Sequence, residues 1–225
     1  MDDAEQGPSG DRTSPALDAG AALGPIACPP APLADPTTPT YVPAVAHQGL
    51  CTQAEIAGYV SACIGPSPSA ADCGQWWSTN ITASTDAGIG TPCGRCFVSP
   101  SNNGALWEDS LGLYAPNYGR CIQLLDPVDG IACAPAYENR RLCRDVACQY
   151  CPSFGNSDFA DCLAAADQST CSAFATTFQA ACAHDLVDGG AFGECHPSPL
   201  AGGPLDYTYI ADLICGGASA DAGAD

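Results

Sequence analysis

The chain contains no lysine, and its permanently cationic side chains are six arginines set against 25 aspartates and glutamates, for a formal charge of −19. A surface this acidic repels phosphate backbones, and six arginines cannot furnish a row of phosphate contacts, so nucleic acid is not an expected partner. No apolar run approaches the roughly 18 residues that cross a bilayer, which excludes a membrane-spanning segment. The first 25 residues lack a basic start followed by an apolar stretch, so no intact signal peptide is recognisable. Two familiar catalytic signatures are missing as well: there is no G-x-S-x-G elbow and no H-E-x-x-H helix.

Cysteine, by contrast, is abundant, with 16 in 225 residues beside 24 glycines and 20 prolines. About 7% cysteine approaches the density of a disulfide scaffold, and cytosolic chains seldom carry so many thiols. The expected setting is secreted or on the exterior of the cell envelope, with the export signal removed and Met1 standing as a start in front of Asp2. Fifteen cysteines fall in the body: Cys51, Cys63, Cys73, Cys93, Cys96, Cys121, Cys133, Cys143, Cys148, Cys151, Cys162, Cys171, Cys182, Cys195 and Cys215. Cys28 completes an even set, which predicts that it pins the N-terminal arm to that body. Eight bridges among 16 cysteines allow roughly two million pairings, so the connectivity stays open.

Composition divides the chain into three parts. Residues 1–50 hold nine of the 20 prolines, six acids and one arginine without apolar periodicity, which predicts a disordered leader over 1–46. A disulfide-rich helical domain is expected over 47–215, and the Gly, Ala, Ser and Asp residues of 216–225 read as a frayed tail. The fold class is mainly α, a small disulfide-stapled domain with one short β-hairpin.

Helix starts are marked by a Thr52/Glu55 capping box and by Ser69 with Asp72. After the first, Ile56, Val60, Cys63 and Ile64 share a face until Gly65-Pro66. A hairpin is expected between Phe97-Val98 and Ala105-Leu106-Trp107, around Ser101-Asn102-Asn103-Gly104. Pro135 suits the first turn of a helix running to Cys148, and Ser157 opens another. A third follows, in which Cys171 and Cys182 lie three turns apart within about 20° of one line, so both can bridge to one neighbouring element. Leu205–Cys215 leans towards helix. The gaps Cys51–Cys63–Cys73 recur in Cys121–Cys133–Cys143, a weak echo that raises a duplication.

Several motifs offer chemistry. Cys93-x-x-Cys96 and Cys148-x-x-Cys151 have redox spacing, yet Cys93 is expected before a strand and Cys148 at a helix C-terminus, where a thiolate is disfavoured. Zinc held by four thiolates is the other reading, although 51 residues between the pairs exceed ribbon spacing. Structural disulfides are the favoured assignment, and no cofactor or metal is expected. Asp126-x-x-Asp129-Gly130 and Asp185-x-x-Asp188-Gly189 resemble each other and suit either calcium or a plain turn. His184, beside Asp185, and Glu194-Cys195-His196 are the remaining acid–base candidates. Arg140, Arg141 and Arg144 are expected to pair with Glu138, Asp145 or other carboxylates. Asn80-Ile81-Thr82 fits a glycosylation triplet. Trp76 and Trp77 point about 100° apart on a helix, so one can reach a rim and, with Trp107, stack on a sugar or anchor a protein.

The pattern Cys51-Thr52-Gln53-Ala54-Glu55-Ile56, then Ala62-Cys63, a Gly-Pro-Ser break, Cys73, the Trp pair and Cys93-x-x-Cys96, resembles cysteine-rich exported bacterial lipoproteins of uncharacterised function. The resemblance spans Cys51 to Cys215 and implies export and a lipid anchor upstream of Asp2; it brings no activity with it. The expected function is a non-catalytic extracellular or envelope-tethered interaction module that meets a protein or carbohydrate surface through Trp76, Trp77 and Trp107. The alternatives are a calcium- or redox-linked secreted protein and an envelope hydrolase with an unrecognised site.

Overall fold

A computed structural model describes residues 28–33, 41–85, 88–99, 103–108, 114–151, 157–187, 189–197 and 203–217. Helices dominate these residues, in keeping with the expected class, and no helix among them is long and apolar enough to cross a membrane.

Helix α1 (Gln53–Tyr59) starts at the capping box, with Glu55 N–H donating to Thr52 and the Glu55 carboxylate accepting from Thr52 N–H. It continues into a single π turn, Val60–Ile64, that ends at Gly65. Helix α2 (Ala70–Asn80) begins at Ser69, whose hydroxyl accepts from Asp72 N–H. Two short strands, β1 (Ser84–Thr85) and β2 (Gly88–Ile89), pair before α3 (Pro92–Phe97).

That third helix overturns the strand expected over Phe97-Val98. Thr91 caps it by accepting from Gly94 N–H, and Pro92 supplies a preset φ at its first position. The Ala105-Leu106-Trp107 run finds another partner: β3 (Leu106–Glu108) pairs with β4 (Tyr114–Pro116), with Trp107 opposite Ala115 and Glu108 opposite Tyr114. Ser101 and Asn102, the centre of the expected turn, lie outside the described residues.

After α4 (Tyr118–Leu125) the chain turns through Asp126–Asp129 into α5 (Gly130–Ala147). This helix begins five residues before Pro135, correcting the sequence-based start. Asp126 Oδ1 accepts from the N–H groups of Val128 (3.0 Å) and Asp129 (2.9 Å), and that turn launches the helix. Pro135 is tolerated inside it because the carbonyl it leaves without a donor belongs to Ile131, an exposed residue that water can serve. Helices α6 (Ser157–Gln168), α7 (Ser172–Ala181), α8 (Ala191–Cys195) and α9 (Pro204–Cys215) follow, so the ambiguous last segment is helical.

Cys171 and Cys182 do bridge to one element. They bond Cys143 and Cys133 of α5, and the inverted order of the two bonds makes α5 and α7 antiparallel. The other bridges are Cys28–Cys151, Cys51–Cys93, Cys63–Cys73, Cys96–Cys215, Cys121–Cys195 and Cys148–Cys162. Equivalent members of the two cysteine sets bond differently: Cys63 joins Cys73 within its own set, whereas Cys133 and Cys143 both reach α7. The echo is therefore not repeated in the bonding.

The main core gathers Ile56, Tyr59, Trp76 and Phe97 against Ile210 and Ile214 of α9, and a smaller one, made largely of cysteine, joins α5, α6 and the N-terminus of α7. Packing crosses the boundary drawn at residue 47. Cys28 is bridged to Cys151, Ala31 N–H donates to the Ala147 carbonyl, and Tyr41 donates to Gln123 Oε1 at 2.7 Å. At the other end Gln48 pairs with Gly217.

Candidate functional site

All 16 thiols are engaged in bridges and no cysteine is free. Neither C-x-x-C pair is bonded within itself. Cys93 and Cys96 leave α3 for Cys51 and Cys215, while Cys148 and Cys151 reach Cys162 and Cys28. A redox centre needs its two sulfurs to exchange with each other, and a zinc site built from these two pairs needs all four as thiolates; this bonding offers neither. Eight bridges suit an oxidising, extracellular setting.

The three tryptophans do not form one face. Trp76 is buried edge-on to Tyr59 (4.8 Å between ring centres) and to Phe97 (5.4 Å). Trp107 is buried too, with the Arg141 guanidinium 4.6 Å from its ring centre. Trp77 is half-buried and lies 4.7 Å from the ring of Tyr114. Paired residues in an antiparallel ladder share a face, so Tyr114 sides with Glu108, and Trp107 with Ala115 on the reverse. The ribbon thus separates Trp107 from the Trp77–Tyr114 contact.

Cys195 is bonded to Cys121, which removes it as a nucleophile. His196 stacks on Tyr118 with 3.7 Å between ring centres, and its Nδ1 is 3.8 Å from Asp206 Oδ2, too far for a hydrogen bond. Burial lowers the His196 pKa and the Asp206 carboxylate only partly offsets it, so the ring is held neutral at the core edge. Tyr118 donates to Asp206 at 2.7 Å. No described serine, threonine or thiol is brought to His196 by a hydrogen bond.

Two buried charges were not anticipated from sequence. Arg120 is 1% exposed and meets Glu138 at 3.0 Å, with its guanidinium 3.6 Å from the Tyr41 ring centre. The approach is possible because residue 119 is glycine: a Cβ there would sit 2.7 Å from Glu138 Oε1. Burial pushes the Glu138 pKa up to about 7 against the pull of Arg120. Glu138 thus pairs outside the expected arginine cluster, in which Arg140 and Arg144 share Asp167 and Arg141 takes Asp145.

The first Asp-Gly turn does meet the residue that precedes the second motif. The Cys133–Cys182 bridge fixes the start of α5 beside the end of α7, and His184 Nδ1 then lies 3.2 Å from Asp126 Oδ2 and 3.8 Å from Asp129 Oδ2. Backbone N–H groups of Asp129 and Val128 hold the Asp126 pKa low, with His184 adding to them. Next to His184, Asp185 is fully buried, and neither of its carboxylate oxygens has a hydrogen-bond partner among the described residues. Burial, then the charge of Asp126, raises its pKa. Asp188 lies outside the described residues.

Comparison with protein-family models, with curated proteins and with solved structures finds nothing that matches this chain.

Proposed function

We propose that this chain is a non-catalytic interaction module working in an oxidising, extracellular setting, secreted or tethered to the exterior of the cell envelope as in the lipoproteins it resembles. The observation that supports this reading most is the sealing of every thiol in a bridge, which leaves a rigid scaffold and no reactive sulfur. Its contact face is the half-buried Trp77 with Tyr114, an aromatic pair that suits a sugar ring or an apolar protein surface. Trp76 and Trp107 act in support. The first braces Trp77 edge-on at 6.2 Å, and the second fills the reverse of the ribbon that carries Tyr114.

A glycan array and a pull-down, each run with the native protein and with Trp77→Ala, test the assignment. Binding is expected to fall on the order of 30-fold or more in the variant, the range of a contact hot spot, with the melting temperature kept within a few degrees. Equal binding by the variant, or turnover of a substrate that His184→Ala abolishes, contradicts it.

A further inference from the structure

We propose that Asp126, Asp129 and His184 bind one divalent transition-metal ion, with the buried, unpartnered side chain of Asp185 next to His184. The proposal stands apart from the Trp77 face and does not depend on it.

One ligand atom from each of Asp126, Asp129 and His184 lies within 4.8 Å of the other two. Around an ion with bonds of about 2.1 Å, tetrahedral donors are about 3.4 Å apart, so the 3.2 and 3.8 Å separations from His184 Nδ1 are those of donors facing one ion. Asp126 divides its two oxygens: Oδ1 accepts from the turn N–H groups, and Oδ2 faces His184. The turn thereby aims one carboxylate lone pair into the gap.

The second observation is Asp185. Its side chain is 0% exposed, neither of its oxygens has a hydrogen-bond partner among the described residues, and it interacts electrostatically with Asp126, Asp129 and His184, so an unpartnered polar group lies against the cluster. The described residues supply no permanent cation nearby. The chain has no lysine, and each described arginine is engaged elsewhere: Arg95 at the Gly90 carbonyl, Arg120 at Glu138, Arg140 and Arg144 at Asp167, and Arg141 at Asp145. Among the described residues only His184 faces the cluster, and it is 70% exposed. The C-terminal end of α7, three residues before His184, adds the negative end of a helix dipole.

The donor set selects the metal. Calcium takes six to eight oxygen ligands, whereas an imidazole with two carboxylates suits zinc and its neighbours. The outward faces of His184 and Asp129 leave room for water to complete the coordination, and binding displaces any proton on the imidazole.

The test uses the full chain, stripped with a chelator and titrated with zinc by calorimetry, with cobalt absorption as a second readout. One ion is expected to bind, with a rise in melting temperature. His184→Ala and Asp126→Asn should each weaken binding on the order of 100-fold or more, at or above the upper end of what losing an outer partner costs. Asp185→Asn should raise the melting temperature of the metal-free protein and shrink the rise that zinc produces. A plain His184–Asp126 ion pair gives no saturable zinc binding, which overturns the proposal. So does zinc binding that persists in the His184 and Asp126 variants, or a melting shift that calcium produces and His184→Ala leaves intact.

Discussion

Replacing Cys96 and Cys215 together by alanine is expected to remove about 4 kcal/mol of stability, the larger of two effects that follow from the bridge map. The bond ties α3 to α9, the helix that carries Ile210 and Ile214 into the main core. Its partners are 119 residues apart, and with the other bridges intact the shortest path runs through Cys121–Cys195 and closes a loop of roughly 45 residues. Opening that loop returns its closure entropy to the unfolded chain. At about 2–4 °C per kcal/mol for a chain of this size, the melting temperature falls by about 8–16 °C. Removing Cys63–Cys73, which spans only 10 residues at the edge of the fold, costs about 2.5 kcal/mol and a correspondingly smaller shift. Thermal unfolding followed by circular dichroism reads both. Equal shifts, or none, contradict the loop argument.

The second large effect lies in the buried Arg120–Glu138 pair. Arg120→Met leaves Glu138 buried without its counter-ion and should cost about 3–5 kcal/mol at pH 8. Glu138→Gln strands the guanidinium at a similar cost. Changing both to methionine removes the two desolvated charges together, and the double variant should recover to near the native stability. Because the folded protein holds the Glu138 proton up to about pH 7, while an unfolded glutamate loses it near 4.5, the folded state binds more protons between those values. This group therefore adds stability below about pH 4.5 that is lost as the pH rises to about 7, and Glu138→Gln should flatten that part of the profile. It follows that Arg120→Met is less harmful at pH 5 than at pH 8. Denaturant titrations at the two values check this; a double variant as weak as the summed singles contradicts it.

Local signals in the chain were legible where the physics is local. The Thr52/Glu55 box, the Ser69 cap and the alignment of Cys171 with Cys182 each depend on residues within a few turns, and each appears in the structure. Readings that turned on a choice between neighbours fared differently. Phe97-Val98 has strand composition, yet Thr91 and Pro92 upstream start a helix that runs through Phe97. Pro135 looks like a first-turn residue, but Asp126 had already begun the turn that sets the start of α5. The cation cluster shows the limit most clearly. Both Asp-Gly motifs stand out in the sequence, 58 residues lying between Asp126 and Asp185, and what joins them is the Cys133–Cys182 bond. That bond is one outcome among roughly two million pairings, so spacing alone could not bring the motifs together. Glu138 stood out as an ion-pair partner, but its burial with Arg120 was not legible for the same reason: each sits on a helix of mixed polarity, and only the packing of α4 on α5 reveals that both face inward.

The central claim is that sixteen thiols form eight bridges and leave none for chemistry. Intact mass of the natively produced protein before and after reduction, with thiols counted under denaturing conditions, tests it most directly. A gain of about 16 Da on reduction and no reactive thiol beforehand is the predicted result. Two to four free thiols located at Cys93, Cys96, Cys148 and Cys151 would contradict it and return those pairs to the centre of the function.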